Sequence, residues 1–90
     1  MFNLGELYEF KEDYTLDYRV FVPKGTIVKV VDGGGNIIGI EFPMYSESLH
    51  NCAGNAKKGH GYYIGSRKAY ALLRKVKTKR NNMEVYKNGI

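Results

Sequence analysis

Two β-branched runs flanking three consecutive glycines constrain this chain more than any other feature: Thr26–Asp32 (TIVKVVD), then Gly33-Gly34-Gly35, then Asn36–Phe42 (NIIGIEF). β-Branched side chains pack well on a pleated surface and glycines permit the reversal, so the segment predicts a β-hairpin. Side chains alternate across a strand, which puts Ile38, Ile40 and Phe42 on one face and Ile37, Gly39 and Glu41 on the other. On the first strand Val28 and Val30 alternate with Lys29 and Val31. One face is therefore core. Gly39 within a strand predicts a tight bend or a close approach of backbone, as the curling of a small sheet requires.

Around the hairpin the signals are shorter. Glu6–Lys11 (ELYEFK) alternates well enough for a first strand, and an acidic, tyrosine-bearing stretch follows over Glu12–Tyr18. Arg19-Val20-Phe21-Val22 is β-prone, and Pro23-Lys24-Gly25 is a turn. Tyr62-Tyr63-Ile64 reads as a further strand. Ser66–Val76 admits two readings. In one, Ser66 caps a helix of about ten residues with Ala69, Leu72, Leu73 and Val76 on one side. In the other, a helical turn over Ser66–Tyr70 leads into a last strand at Ala71–Val76. The second is preferred because that strand would cover an otherwise open edge. Past Thr78 the patterning stops. The expected fold is mainly β: a small five-strand barrel over residues 1–76, with a long loop at 43–61, a helical turn near 66–70 and a basic tail over 77–90.

Ninety residues, 43% apolar and 13% aromatic, suffice for one folded domain with a thin core. The single cysteine, Cys52, forms no internal disulfide, and no apolar run approaches the length of a membrane span. A cytoplasmic setting without membrane insertion is expected. Charge is split along the chain. Residues 1–66 carry six basic and eight acidic side chains, a net of −2, while residues 67–90 carry eight basic and one acidic, a net of +7. A basic segment of this kind either binds an acidic partner or is a solvated tail.

The loop at Pro43–Gly61 is long for so small a domain. Its His50, Cys52 and His60 are residue types that ligate zinc, with Glu47 as a possible fourth ligand. The usual paired-ligand spacing is missing, however. The competing reading has both histidines hydrogen-bonded to backbone and Cys52 packed inward as a small apolar group. Cys52 and His60 lack a third group to orient the histidine, and Gly33-Gly34-Gly35 does not lead from a strand into a helix, so neither catalysis nor a phosphate cradle is expected.

Lys24–Val31 running on to Ile38-Gly39-Ile40-Glu41-Phe42 resembles the hairpin of Src-homology-3-like barrels of the KOW and CAP-Gly sort, where a glycine-led strand turns into a "G-V-E-F" strand. Leu49-His50-Asn51-Cys52-Ala53-Gly54, followed by Gly59-His60-Gly61-Tyr62-Tyr63-Ile64, is similar to an "H-x-C-x-G" loop and "G-H-G-aromatic-aromatic-aliphatic" strand of small bacteriophage proteins. The resemblance spans residues 5–76. The Gly-Lys-Asn-Asp motif of CAP-Gly domains is missing, so tubulin-tail binding is not carried over, and no tryptophan is present for a proline-peptide groove. The resemblance implies a barrel and a phage setting, in which small proteins act on host machinery, defence nucleases among it.

The expected function is thus non-enzymatic binding of a host protein that it modulates or inhibits. The candidate contact residues are Tyr14, Asp17, Tyr18, Tyr45, Tyr62, Arg67, Lys68, Arg74, Lys75, Lys77, Lys79 and Arg80, with no cofactor unless His50, Cys52 and His60 take zinc. The alternative is a nucleic-acid-binding barrel that combines tyrosine stacking with the basic C-terminal residues. Against it, Glu9, Glu12, Asp13 and Asp17 would repel phosphate.

Overall fold

The computed structural model describes residues 2–76; the expected tail, with Lys77, Lys79 and Arg80, lies outside the described residues. The protein is mainly β. Seven strands form among the described residues: β1 (Leu7–Phe10), β2 (Tyr14–Leu16), β3 (Val20–Val22), β4 (Ile27–Gly34), β5 (Ile37–Glu41), β6 (Gly61–Gly65) and β7 (Leu73–Lys75). One α-helix, α1 (Ser66–Leu72), joins β6 to β7, and a 3₁₀ turn at Cys52–Gly54 lies in the long loop. Five strands form one antiparallel sheet in the order β6-β5-β4-β1-β7, and β2-β3 form a separate hairpin. The two ends of the main sheet, β6 and β7, do not pair with each other. The closed barrel is therefore not made by the strand ladder.

The central hairpin forms as its alternation dictates, with one change at the turn. β4 runs on through Gly33 and Gly34, which pair with Ile38 and Ile37, so only Gly35 and Asn36 turn the chain. Gly35 has φ 63°, the positive first dihedral that suits a two-residue hairpin to the strand twist. Register shifts between Val30 and Asp32, making a bulge at Val31 opposite Gly39. The bulge sharpens the local bend of the sheet. It also keeps Val28, Val30, Ile38 and Ile40 on one buried face.

That face is joined by Tyr8 and Phe10 of β1, Ile64 of β6 and Leu73 of β7, and the β2-β3 hairpin covers it with Leu16, Val20 and Val22. Phe42, Leu49, Ala69 and Leu72 complete the core. Each large aliphatic or aromatic side chain fully buried here contributes about 1.5–3 kcal/mol. The segment 66–76 differs from the preferred expectation. The helix continues two residues further, to Leu72, and the strand begins only at Leu73. Burying Leu72 from the helix and Leu73 from the strand uses both neighbours, which a strand beginning at Ala71 would place on opposite faces. Ser66 is not the cap; Gly65 holds that position, and the Ser66 N–H donates to the Asn36 carbonyl at 2.7 Å.

Candidate functional site

The long loop is a lid on the outer face of the β5-β6 pair. Gly39 and Gly61 leave a notch in that face, and Cys52 fills it: a Cβ would stand 3.2 Å from Sγ at Gly39 and 2.8 Å at Gly61. The other atoms that would crowd a Cβ at Gly39 are also side chains, Asp32 Cβ at 2.9 Å and Tyr63 Cε1 at 3.1 Å, and not the approaching backbone expected as one alternative to a bend. The loop is anchored by a bridge in which the His50 N–H donates to the Gly61 carbonyl at 2.9 Å and the Gly61 N–H returns to the His50 carbonyl at 2.6 Å. Lys57 N–H adds a bond to Glu41 Oε2 at 2.7 Å. Cys52 and Ala53 adopt left-handed dihedrals, φ 48° and 56°, to make the turn beneath which Sγ is buried.

His50, Cys52 and His60 are not brought together as ligands, and among the described residues no group of three His, Cys, Asp or Glu side chains is placed to hold a metal. Each group is used locally. His50 Nδ1 accepts the Cys52 N–H at 3.0 Å, which places its proton on Nε2. His60 Nδ1 lies 2.9 Å from the Phe42 carbonyl and must donate, since a carbonyl only accepts. Cys52 is fully buried, and that burial pushes its thiol above the ordinary range, away from the thiolate a ligand or nucleophile requires.

The side chains that converge come from elsewhere. The β2-β3 hairpin, the end of β6 and the start of α1 border a groove of about 590 Å3 that includes Tyr14, Asp17, Tyr62, Tyr63, Arg67 and Lys68 in its lining. Tyr62 O–H donates to Asp17 at 3.2 Å, and Lys68 Nζ donates to the Tyr14 hydroxyl at 3.0 Å, across 45 and 54 residues of sequence. Burial first, then the Asp17 carboxylate, raises the Tyr62 phenol, which keeps it a neutral donor. The Tyr14 hydrogen bond raises Lys68, so its ammonium is held. Tyr63 O–H donates to Asp32 at 2.8 Å and its ring stacks on His50, with centroids 5.4 Å apart. Arg67 is exposed and makes no hydrogen bond or ion pair among the described residues.

Tyr18 stands at the tip of the β2-β3 hairpin, 98% exposed, with φ 64° following Asp17 at φ 46°. Arg19 N–H closes this turn on the Leu16 carbonyl at 2.8 Å. A non-glycine residue in that region costs about 1–2 kcal/mol.

The remaining expected contacts lie apart from the groove. Tyr45 packs edge-on to His60 at 6.0 Å, and Gly59 makes room for its ring. Arg74 and Lys75, on β7, are paired with Glu9 of β1 at 3.2 Å and with Glu6, just before β1, at 2.8 Å. The basic residues of 67–75 therefore do not form one stripe. Tyr63 entered the sequence reading as a strand residue and a stacking ring but not among the expected contacts, and Gly65 escaped it; the signal was a strand, Gly-Tyr-Tyr-Ile-Gly, with no charge and no proline.

A scan against protein-family models finds no match to this chain, and neither a curated protein nor a solved structure matches it.

Proposed function

We propose that this protein works by binding rather than catalysis, gripping another protein in the groove between the β2-β3 hairpin and the β6-α1 junction. The observation that carries the reading is convergence. Tyr14, Asp17, Tyr62, Arg67 and Lys68, distant in sequence, border one groove. Tyrosine supplies contact area at low entropic cost together with a polar tip, and an unpaired arginine beside it is a common anchor for a partner's acid. Tyr18, exposed at a strained turn, extends the same surface.

A host protein in a bacterial cytoplasm, bound by a phage accessory protein, is the partner that the resemblance of the hairpin and the His50–Gly54 loop suggests. An antiparallel sheet in which β1 and β7 lie side by side supports kinship with Src-homology-3-like barrels. The experiment is a comparative capture from bacterial lysate. The native chain retains a stoichiometric protein that the double variant Arg67→Glu, Lys68→Glu releases. Equal capture by both, or retention of nucleic acid alone, refutes the assignment.

A further inference from the structure

The way β6 ends its sheet deepens this reading and rests on it. Phe42 N–H donates to the His60 carbonyl at 2.8 Å and Ser66 N–H to the Asn36 carbonyl at 2.7 Å. In an antiparallel ladder the bonded pairs alternate, so Ile40–Tyr62 and Ile38–Ile64 are also bonded pairs, and Gly61, Tyr63 and Gly65 aim their backbone groups at the open side. Gly61 confirms the parity, because its N–H and carbonyl are taken there by His50. The ladder that His50 begins stops after one residue. The N–H and carbonyl of Tyr63 and the N–H of Gly65 have no partner among the described residues.

The two edges of the sheet are treated differently. β7 carries Arg74 and Lys75, the charged side chains with which edges are protected from pairing. β6 carries no charge and no proline, and its open side borders the groove. We propose that β6 takes up an extended segment of the partner as an added antiparallel strand, with an acidic residue near that segment's N-terminal end. Continuing the direction set by His50 places the earlier residues of such a strand beyond Gly65, beside Arg67 and Lys68, where charge is complementary. Its alternate side chains enter between Tyr14 and Tyr62. A second copy of this chain is disfavoured as occupant, since an antiparallel pairing of two β6 edges brings no acid to Arg67.

The test uses an acetylated, amidated octapeptide of two glutamates followed by alternating valine and threonine, titrated into the protein and followed by amide NMR. Binding should shift the Tyr63 and Gly65 amides and slow their exchange with solvent. Replacing the glutamates by lysines should abolish it. Gly65→Pro removes one edge donor at a residue whose φ of −61° already suits proline, with the nearest atom to an added Cβ, the Asn36 carbonyl oxygen, 3.9 Å away. That variant should keep its melting temperature and bind about five- to tenfold more weakly, the worth of one hydrogen bond. Unchanged affinity of folded Gly65→Pro overturns strand addition, as does binding that shifts Tyr14 and Tyr62 without protecting the two amides; in that second outcome the groove assignment survives. Equal binding of the lysine peptide overturns the acidic partner. Concentration-dependent self-association that protects the same amides assigns the edge to a second copy instead. No response anywhere in the groove overturns strand addition by an acidic segment, and the lysate capture then decides the groove itself.

Discussion

Gly61→Ala is expected to unlatch the long loop. Its Cβ would stand 2.8 Å from Cys52 Sγ, 2.9 Å from the His50 carbonyl oxygen and 3.1 Å from Ala56 Cβ. The sulfur can turn, but the carbonyl is backbone held in the bridge to Gly61 itself, so the loop must move away and both bridge bonds lengthen. Overpacking of this kind costs about 1–3 kcal/mol, and two weakened hydrogen bonds add about 1 kcal/mol each. Lower backbone entropy of alanine in the unfolded chain returns about 0.5–1 kcal/mol. The net loss of about 2–4.5 kcal/mol corresponds to a fall in Tm of roughly 10–35 °C for a domain of this size. Urea unfolding with matched m-values measures it. Cys52→Ala alone should cost about 1 kcal/mol. Because it removes one of the three clashing atoms, the double variant should fall short of the summed losses by at least ~0.5 kcal/mol. Gly33→Ala is the control: it sits in the same sheet with nothing nearer than the Phe2 carbonyl oxygen at 4.0 Å, and should be neutral or slightly stabilising. Strict additivity, or a Gly61→Ala protein as stable as the native one, would show that the thiol does not plug the notch.

Tyr18→Gly relieves a left-handed residue at a turn and should stabilise the fold by up to about 1 kcal/mol in thermal unfolding, while weakening capture of the partner; a loss of stability would mean the tyrosine is held by contacts rather than strained. Glu6 is held at about 2, first by the hydrogen bond from Lys75 and then by Tyr8 and Asn3. A carboxylate depressed in the folded state contributes stability above its unfolded value near 4.5 and loses it as pH falls toward 2, so Glu6→Gln should flatten the Tm–pH curve within that window only. The Cys52 thiol, buried and raised, should react with a thiol reagent at mild alkaline pH only as fast as the loop opens; Gly61→Ala should speed it many-fold, and rapid labelling of the native protein would contradict a buried sulfur. Groove binding should survive moderate salt, since it rests on few charges, whereas an affinity falling as a steep power of salt would point to nucleic acid on the basic residues.

The sequence alone determined the strand class, the Thr26–Phe42 hairpin, its buried face and the bend at Gly39, because alternation and a chain reversal are local and both lie within a few residues. It also supplied the groove's side chains, but only as scattered candidates mixed with Tyr45, Arg74 and Lys75. Tertiary structure decided the rest. Periodicity says which side of a strand is buried, not which strand lies beside it, so the meeting of Tyr14 with Lys68 and of Asp17 with Tyr62 depends on where the β2-β3 hairpin docks. The loop's fate was equally non-local: the sequence left His50, Cys52 and His60 between zinc ligands and a packed thiol with backbone-bonded imidazoles. The second arrangement is the one formed, because two glycines on neighbouring strands offered the sulfur a notch and neighbouring backbone groups took both imidazoles. Which backbone groups of β6 stay unpaired is a matter of ladder parity, set by the register of β5 against β6, and no single strand carries that information.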